Sequence, residues 1–367
     1  MIRPATLKDL DALIRVEQTC FDTDRLTRRN FRYLLTRARA ETLVYELNSQ
    51  VVAYITVLFH AGTSLARIYS IAVLPQFSGK GIAAQLMTAA EVNVLEHDCI
   101  SLRLEVRTDN TTAIRLYEKL GYRQFATRLD YYEDHGDALR YEKRLASGDK
   151  PDLVRVPFYQ QTLDFTCGPS ALMMGMKALK PELELSRKLE LRLWRQSTTI
   201  YMTSGHGGCG PYGMALAAYN MGFDVEIYVN EDGVLFVDSV RSKDKKEVMR
   251  LVQEDFIGQI EDLPIRLVHG TLSVESLQDK FELGGLPIVL ISSYRIYQEK
   301  FPHWVVVTGF DDRFIYVHDP YIDEEKGKVA MDSINMPILK NDFQRMAQYG
   351  KAGQKAAIIL YKRNPRG

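Results

Sequence analysis

The sequence predicts two domains, an α/β unit followed by an α+β unit. Three observations carry that prediction. The chain has 367 residues, more than a single hydrophobic core usually organises. A stretch of linker composition, Ala146-Ser-Gly-Asp-Lys-Pro-Asp152, interrupts it. Before that stretch strand and helix patterns alternate, whereas beyond it helices come first and a sheet later. The expected boundaries are 1–147 for the first domain, 148–152 for the linker and 153–367 for the second domain.

Thr6 to Phe21 reads as a capped amphipathic helix with Thr6 at the cap and Leu10, Leu13, Ile14 and Val16 on its apolar side. A second helix is expected over Thr27 to Arg39. Strand-like runs follow at Thr42 to Leu47 and Val51 to Phe59, joined by Asn48-Ser-Gln as a hairpin turn. Leu65 to Leu74 reads as a strand, Gly81 to Leu95 as a helix, Ser101 to Val106 as a strand and Thr111 to Leu120 as a helix closed by Gly121. Two more strands fit between Arg123 and Leu145. In the second domain, strand-like Leu153 to Pro157 precedes helices at Gly168 to Leu179, Pro181 to Trp194 and Tyr212 to Met221. Later strands are expected at Pro287 to Ser292, His303 to Phe310, Phe314 to His318 and Ala356 to Tyr361.

Charge narrows the function classes. The chain carries 47 Lys+Arg and 47 Asp+Glu. They divide as 20 against 18 up to residue 147 and 27 against 29 beyond it. Neither half is basic enough to argue for a nucleic-acid partner. Arg25, Arg28, Arg29, Arg32, Arg37 and Arg39 cluster locally. They form either a solvated helix face or a rim that attracts acidic substrates. The four cysteines show no CxxC or metal-ligand spacing, which points to a reduced, cytoplasmic protein without a metal. No apolar signal core opens the chain and no run approaches ~20 apolar residues, so neither a membrane nor export is expected.

The first reactive motif lies where the strand ending at Leu74 gives way to a helix. Gln76-Phe-Ser-Gly79-Lys80-Gly81 supplies glycines that let a backbone approach a phosphate, and a helix start favours anionic oxygen. An ordinary turn has the same residues; the context downstream separates the two readings. Leu104-Glu105-Val106-Arg107-Thr-Asp-Asn110-Thr-Thr-Ala113-Ile-Arg-Leu-Tyr117-Glu-Lys-Leu-Gly121-Tyr122 resembles the RimI branch of the GNAT acetyltransferases, the protein N-terminal acetyltransferases. The resemblance covers roughly 1–147, including Asp130-Tyr131-Tyr132, and implies a mixed central sheet with flanking helices and acetyl-CoA as cosubstrate. It makes Glu105 the general base, acting through water, and Tyr117 the acid that protonates the departing thiolate. Asn110 would contact the coenzyme, the backbone of Ile71, Ala72 and Val73 would pair with the pantetheine arm, and Gln76, Gly79, Lys80 and Gly81 would hold the pyrophosphate. The residue types suit the chemistry, because an ammonium must lose its proton before it attacks a thioester.

The second motif, Thr166-Cys167-Gly168-Pro169-Ser170-Ala171-Leu172, places a cysteine at a helix start, where proline suits the first turn. Such a position favours a nucleophilic thiolate; a lone cysteine is otherwise ordinary buried structure. His303 heads an apolar strand, and Asp319 closes the next one after the Asp311-Asp312 turn. In an antiparallel hairpin the two would be neighbours, the relation an orienting acid needs with an imidazole. The set resembles the papain-like bacteriocin-processing peptidases, which cut after double-glycine leaders, and their soluble peptidase-like relatives, over about 153–367. It implies Cys167 as nucleophile, His303 as general base and acid, Asp319 as orienting group, and Gln161, six residues before the cysteine, as oxyanion donor. His318 is a rival base, although adjacent strand residues face opposite sides. Cys209 is a rival nucleophile, but Thr203, not an amide donor, stands six residues before it. His206 and Cys209 are expected in a glycine-rich loop beside the cleft.

Together the motifs predict a bifunctional enzyme. An acetyl-CoA-dependent N-acetyltransferase for a protein or peptide amine is joined to a cysteine peptidase or amidase. The alternatives are an acetyltransferase whose second domain binds peptides without hydrolysing them, and a purely structural fusion. The acceptor amine, the scissile bond and the oligomeric state are open at this level.

Overall fold

A computed structural model of the chain describes residues 1–146, 151–199, 207–237, 242–299, 301–324, 328–350 and 353–363. The chain divides into two compact units, Met1–Gly148 and Asp149–Gly367. Residues 148–150 of the expected linker lie outside the described residues.

The first unit runs β1 (Ile2–Pro4), α1 (Leu10–Cys20), α2 (Arg28–Thr36), β2 (Ala40–Leu47), β3 (Gln50–Phe59), β4 (Leu65–Val73), α3 (Ile82–Glu96), β5 (Ser101–Arg107), α4 (Thr111–Lys119), β6 (Arg123–Arg128) and β7 (Ala138–Arg144). Its sheet has the order β1-β2-β3-β4-β5-β7-β6, with β4 and β5 parallel and every other neighbour antiparallel. Thr6 and Asp9 form a capping box before a short 3₁₀ turn that leads into α1. Thr27 and Asn30 form another at α2. That helix ends at Thr36, short of the expected Arg39, because strand pairing takes over: the Arg39 carbonyl already accepts from the Phe59 amide at 2.8 Å. Asn48 and Ser49, at φ 50° and 60°, form the tight turn that matches strand twist in a hairpin. Leu13, Val16, Val44, Ile55, Leu86 and Leu102 belong to the buried core, with α1 and α3 packed on β3 and β4.

The second unit runs β8 (Asp152–Leu153), α5 (Cys167–Leu179), α6 (Arg187–Ser197), α7 (Pro211–Asn220), β9 (Phe223–Val229), α8 (Lys243–Glu261), β10 (Arg266–His269), α9 (Val274–Glu282), β11 (Leu286–Ser292), α10 (Tyr294–Tyr297), β12 (Pro302–Phe310), β13 (Phe314–His318), β14 (Met336–Leu339), α11 (Lys340–Met346) and β15 (Ala356–Lys362). Its sheet order is β10-β9-β15-β11-β12-β13-β14, with β8 paired to β12. The helices α5 and α7 pack against it. The sheet is not built from late strands alone: β9 lies inside it, between β10 and β15. Its sequence Phe-Asp-Val-Glu-Ile alternates buried with less buried residues, a strand signal as plain as any other in the chain. The expected strand from Leu153 shrinks to two residues, since the chain leaves the ladder after Val154 bonds Thr308. The helix expected from Pro181 starts six residues later, where the Ser186 side chain caps the Leu189 amide.

Candidate active sites

In the first unit the opening for a cosubstrate comes from a ladder that stops. The parallel pairing of β4 with β5 extends only from Leu65↔Ser101 to Arg67↔Arg103. On its other side β4 stays paired with β3 through Ala53↔Val73. Among the described residues the β5-facing edge from Ile71 through Ala72 to Val73 has no strand partner, and apart from the Val73 carbonyl, which accepts from the Cys20 thiol at 3.3 Å, it is open to an extended amide chain. The loop carrying Gln76 follows. Gly79 and Gly81 have φ of 74° and 77°, a left-handed backbone that side-chain-bearing residues enter at a cost. Gly81 caps α3 without any side-chain hydrogen bond, so the first N–H groups of a 15-residue helix lack a capping partner. Lys80 lies over the Phe77 ring at 5.1 Å. Asn110 is engaged elsewhere: its Oδ1 caps α4 by accepting from the Ala113 amide at 3.1 Å.

The Glu105 side chain is 8% exposed, and both of its oxygens accept hydrogen bonds. Arg67 donates to its Oε2 at 3.3 Å and Tyr131 to the same oxygen at 2.7 Å, while Arg140 donates to Oε1 at 3.2 Å. Arg140 stands directly opposite it in the β5–β7 register, one step from Arg103 opposite Glu142. Tyr132, the next residue of the β6–β7 hairpin, feels both Glu105 and Tyr117, which puts base and acid candidates around one place. Tyr117 itself is buried and its hydroxyl makes no hydrogen bond among the described residues; burial pushes the phenol up to about 12, so it carries its proton at neutral pH. Sequence reasoning missed Arg67, Arg140 and Tyr131. For Arg67 the signal was present, since it interrupts a largely apolar strand; Arg140 sits in a strand already rich in charge, which hides it.

In the second unit three elements converge. Cys167 opens α5, whose N-cap Thr166 makes no capping hydrogen bond. Gly168 is required there by space: a Cβ would meet Met214 Sδ at 2.8 Å and Trp304 Cδ1 at 3.2 Å. His303 enters on β12 and Asp319 follows β13. The His303 Nε2 bonds Asp319 Oδ1 at 2.6 Å, and the imidazole also feels Cys167. Asp319 accepts further from the Tyr297 hydroxyl at 2.6 Å and the Tyr321 amide at 2.8 Å. Both His303 and Asp319 are sealed from solvent, with the rings of Tyr297, Phe301 and Tyr321 edge-on to the imidazole. Burial alone would lower His303, but the Asp319 charge and hydrogen bond, together with Cys167, carry it up to about 10. Burial would conversely raise Asp319; His303, Tyr297 and Lys328 hold it below the usual carboxylate range. The resting pair is thus imidazolium and carboxylate.

Gln161 lines a cleft of about 260 Å³ with Gln160, Leu163, Asp164, Tyr321 and Asp323. Its amide N–H bonds the Pro320 carbonyl at 2.9 Å, next to Asp319, and its Nε2 donates to Leu163 O. The side-chain Oε1 is buried and unpartnered. The rivals fall on geometry. His318 has both ring nitrogens occupied, Nε2 by the Val156 carbonyl and Nδ1 by the Asn335 amide. Cys209 is buried, and burial pushes its thiol far up, while its carbonyl accepts from the Trp304 indole. His206 lies outside the described residues. Tyr297 was also missed from the sequence. Only the loop fold behind β13 brings it to Asp319, so no local spacing could announce it.

Comparison with known proteins separates the two units. Residues 8–122 match the Acetyltransferase (GNAT) family and residues 156–361 the Peptidase_C39 like family. A putative ribosomal protein bS18 alanine N-acetyltransferase of Bacillus subtilis is 31% identical over 137 residues, 37% of this chain and 89% of that protein. An N-alpha-acetyltransferase of Sulfurisphaera tokodaii is 31% identical over 153 residues, 37% of this chain and 88% of that one. The crystal structure of the ribosomal-protein-S18-alanine N-acetyltransferase from Escherichia coli is 24% identical, covers 41% of this chain and 96% of its own, and has a TM-score of 0.38. The chain belongs to the Peptidase_C39-like family through its second unit and to the RimI-like GNAT acetyltransferases through its first.

Proposed function

We propose that this chain is a bifunctional enzyme of a reduced, cytoplasmic compartment. Its first unit moves an acetyl group from acetyl-CoA to an amine of a protein or peptide, and its second cleaves an amide bond of a peptide at Cys167. The single observation that carries the pairing is the buried His303–Asp319 pair, 2.6 Å apart, whose imidazole feels Cys167. A binding module has no use for an aspartate-oriented imidazolium beside a cysteine at a helix start.

Acetyl-CoA fits the first unit, given the unpaired edge of β4, the left-handed glycines and the uncapped start of α3. Ile71, Ala72 and Val73 would hold its amide arm, and Gln76, Gly79, Lys80 and Gly81 its phosphates. Asn110 contributes less directly, by fixing the start of α4 and hence Tyr117. Glu105 takes the ammonium proton through a water, since protein donors already occupy both of its oxygens. The amine nitrogen then bonds the acetyl carbon as the carbon–sulfur bond breaks, and Tyr117 gives its proton to sulfur. An acidic acceptor is favoured. The Asp24 and Glu133 amides each donate to the other's side-chain carboxylate, joining the loop before α2 to the Tyr131 hairpin, and α2 carries the exposed Arg28, Arg29 and Arg32.

In the second unit the Cys167 sulfur bonds the scissile carbonyl carbon. The oxyanion faces the Gln161 side chain and the Cys167 backbone N–H, and His303 gives its proton to the leaving amine. Water, deprotonated by His303, then hydrolyses the thioester. Two assays test the reading. Acetyl transfer from acetyl-CoA to a peptide-amine panel should fall in Glu105→Gln and Tyr117→Phe. Peptide retained by a Cys167→Ala protein should be cut by the native chain. Transfer indifferent to both substitutions overturns the first half. A Cys167 that iodoacetamide labels no faster than in unfolded chain overturns the second.

A further inference from the structure

Glu190, on α6, is a carboxylate with no solvent exposure. Among the described residues no lysine, arginine or histidine pairs with it. Hydrogen bonds from neutral groups satisfy its oxygens instead, and every one comes from a single stretch of chain. The Thr162 amide and hydroxyl donate at 2.8 and 2.7 Å, the Thr166 hydroxyl at 2.5 Å, the Tyr159 hydroxyl at 3.0 Å and the Ser170 hydroxyl at 3.3 Å. That stretch, 159–170, contains both Gln161 and Cys167. Tyr159 and Thr162 bracket the glutamine, and Thr166 and Ser170 bracket the cysteine.

A buried carboxylate without a cation is costly to the fold, and an apolar residue of similar volume is often as stable in such a place. Leu189 and Leu193 of the same helix show that the surroundings accept one. What an apolar residue cannot do is set the path of a six-residue loop through several directed hydrogen bonds. The far side of the loop is tied as well, by the Gln161 amide to the Pro320 carbonyl beside Asp319.

We propose that Glu190 is a positioning residue for the oxyanion side of the cysteine site: it fixes Gln161 relative to Cys167 without touching the substrate. The proposal rests on the peptidase reading above and extends it. It separates Glu190 from the Cys167–His303–Asp319 relay, with which it shares no hydrogen bond.

The test compares two small reagents on the full chain. Iodoacetamide reports the thiol and imidazole and creates no oxyanion. p-Nitrophenyl acetate transfers its acetyl group to the Cys167 sulfur, releasing p-nitrophenolate through a tetrahedral oxyanion. In Glu190→Gln, which keeps the volume but not the acceptor set, acylation should fall at least tenfold while alkylation stays within about threefold. Gln161→Ala should show the same split, and the double variant should be no slower than Gln161→Ala alone. Thr166→Val, which leaves Glu190 in place, should reproduce a smaller split if Glu190→Gln folds poorly. Equal loss of both rates, no loss of either, or additive effects overturn the proposal. If wild-type Cys167 proves inert to both reagents, the peptidase reading fails by itself. Hydrogen exchange at the Thr162 amide then decides, since at least tenfold acceleration in Glu190→Gln supports positioning and unchanged exchange overturns it.

Discussion

Asp319, a buried carboxylate, and Glu105, a largely buried one, each sit in a candidate active site, yet their partners differ in kind. Asp319 binds one cation, His303, and fills its remaining capacity with the neutral Tyr297 hydroxyl and Tyr321 amide. Glu105 binds two guanidiniums, from Arg67 and Arg140, and the Tyr131 phenol. In the reaction proposed for the second unit, labour is divided: the carboxylate would orient, the imidazole carry the proton and the sulfur react. In the first unit, the carboxylate proposed to react also neutralises two buried arginines. A substitution at Cys167 therefore separates chemistry from stability, whereas one at Glu105 mixes them.

The largest effect that sharpens this contrast is expected from Cys167→Ala. It should remove hydrolysis by a factor on the order of 10⁶ and leave acetyl transfer within about twofold, both measured on one preparation. Asp319→Asn should follow, with a loss on the order of 10⁴ in turnover through the wrong imidazole tautomer. It should also change the pH profile of stability. His303 is raised, so its contribution is full below its ordinary 6.5 and lost as pH climbs through about 10. Asp319 is lowered from 3.8, so its contribution is full above that value and lost as pH falls beneath it. The melting-temperature gap between wild type and Asp319→Asn should thus be widest from about pH 4 to 6.5 and shrink towards pH 10. A gap that grows with pH would show His303 neutral at rest.

Glu105→Gln and Tyr117→Phe come next, each with a roughly 10²–10³-fold loss of acetyl transfer. They should part company in urea denaturation. Glu105→Gln removes the negative charge that the buried Arg67 and Arg140 share and costs about 3–5 kcal/mol, while Tyr117→Phe deletes a hydroxyl with no hydrogen bond among the described residues and costs under about 1 kcal/mol. Equal stability would mean that the arginines do not depend on Glu105. The smallest effect is that of Gly81→Ala. Nothing crowds a Cβ there, so the cost is the left-handed backbone alone, about 1 kcal/mol, and titration calorimetry with acetyl-CoA should show weaker binding while the cysteine site is unaffected.

Much of this molecule was legible before any coordinates. Local chemistry announces the cap at Thr6, the helix start at Thr27, the Asn48–Ser49 turn, the glycine loop before α3 and the cysteine at the head of α5, because each depends on residues within one turn of chain. The hairpin logic that sets His303 near Asp319 is likewise a matter of short separation. What escaped is non-local. The end of the β4–β5 ladder at Arg67, the two guanidiniums on Glu105, the Tyr297 hydroxyl on Asp319 and the loop-gathering Glu190 are decided by which distant strands and helices pack together. Side-chain type and spacing determine which groups can react; tertiary packing decides which charges they share, because a buried carboxylate takes its partners from whatever segments the fold brings within hydrogen-bond reach.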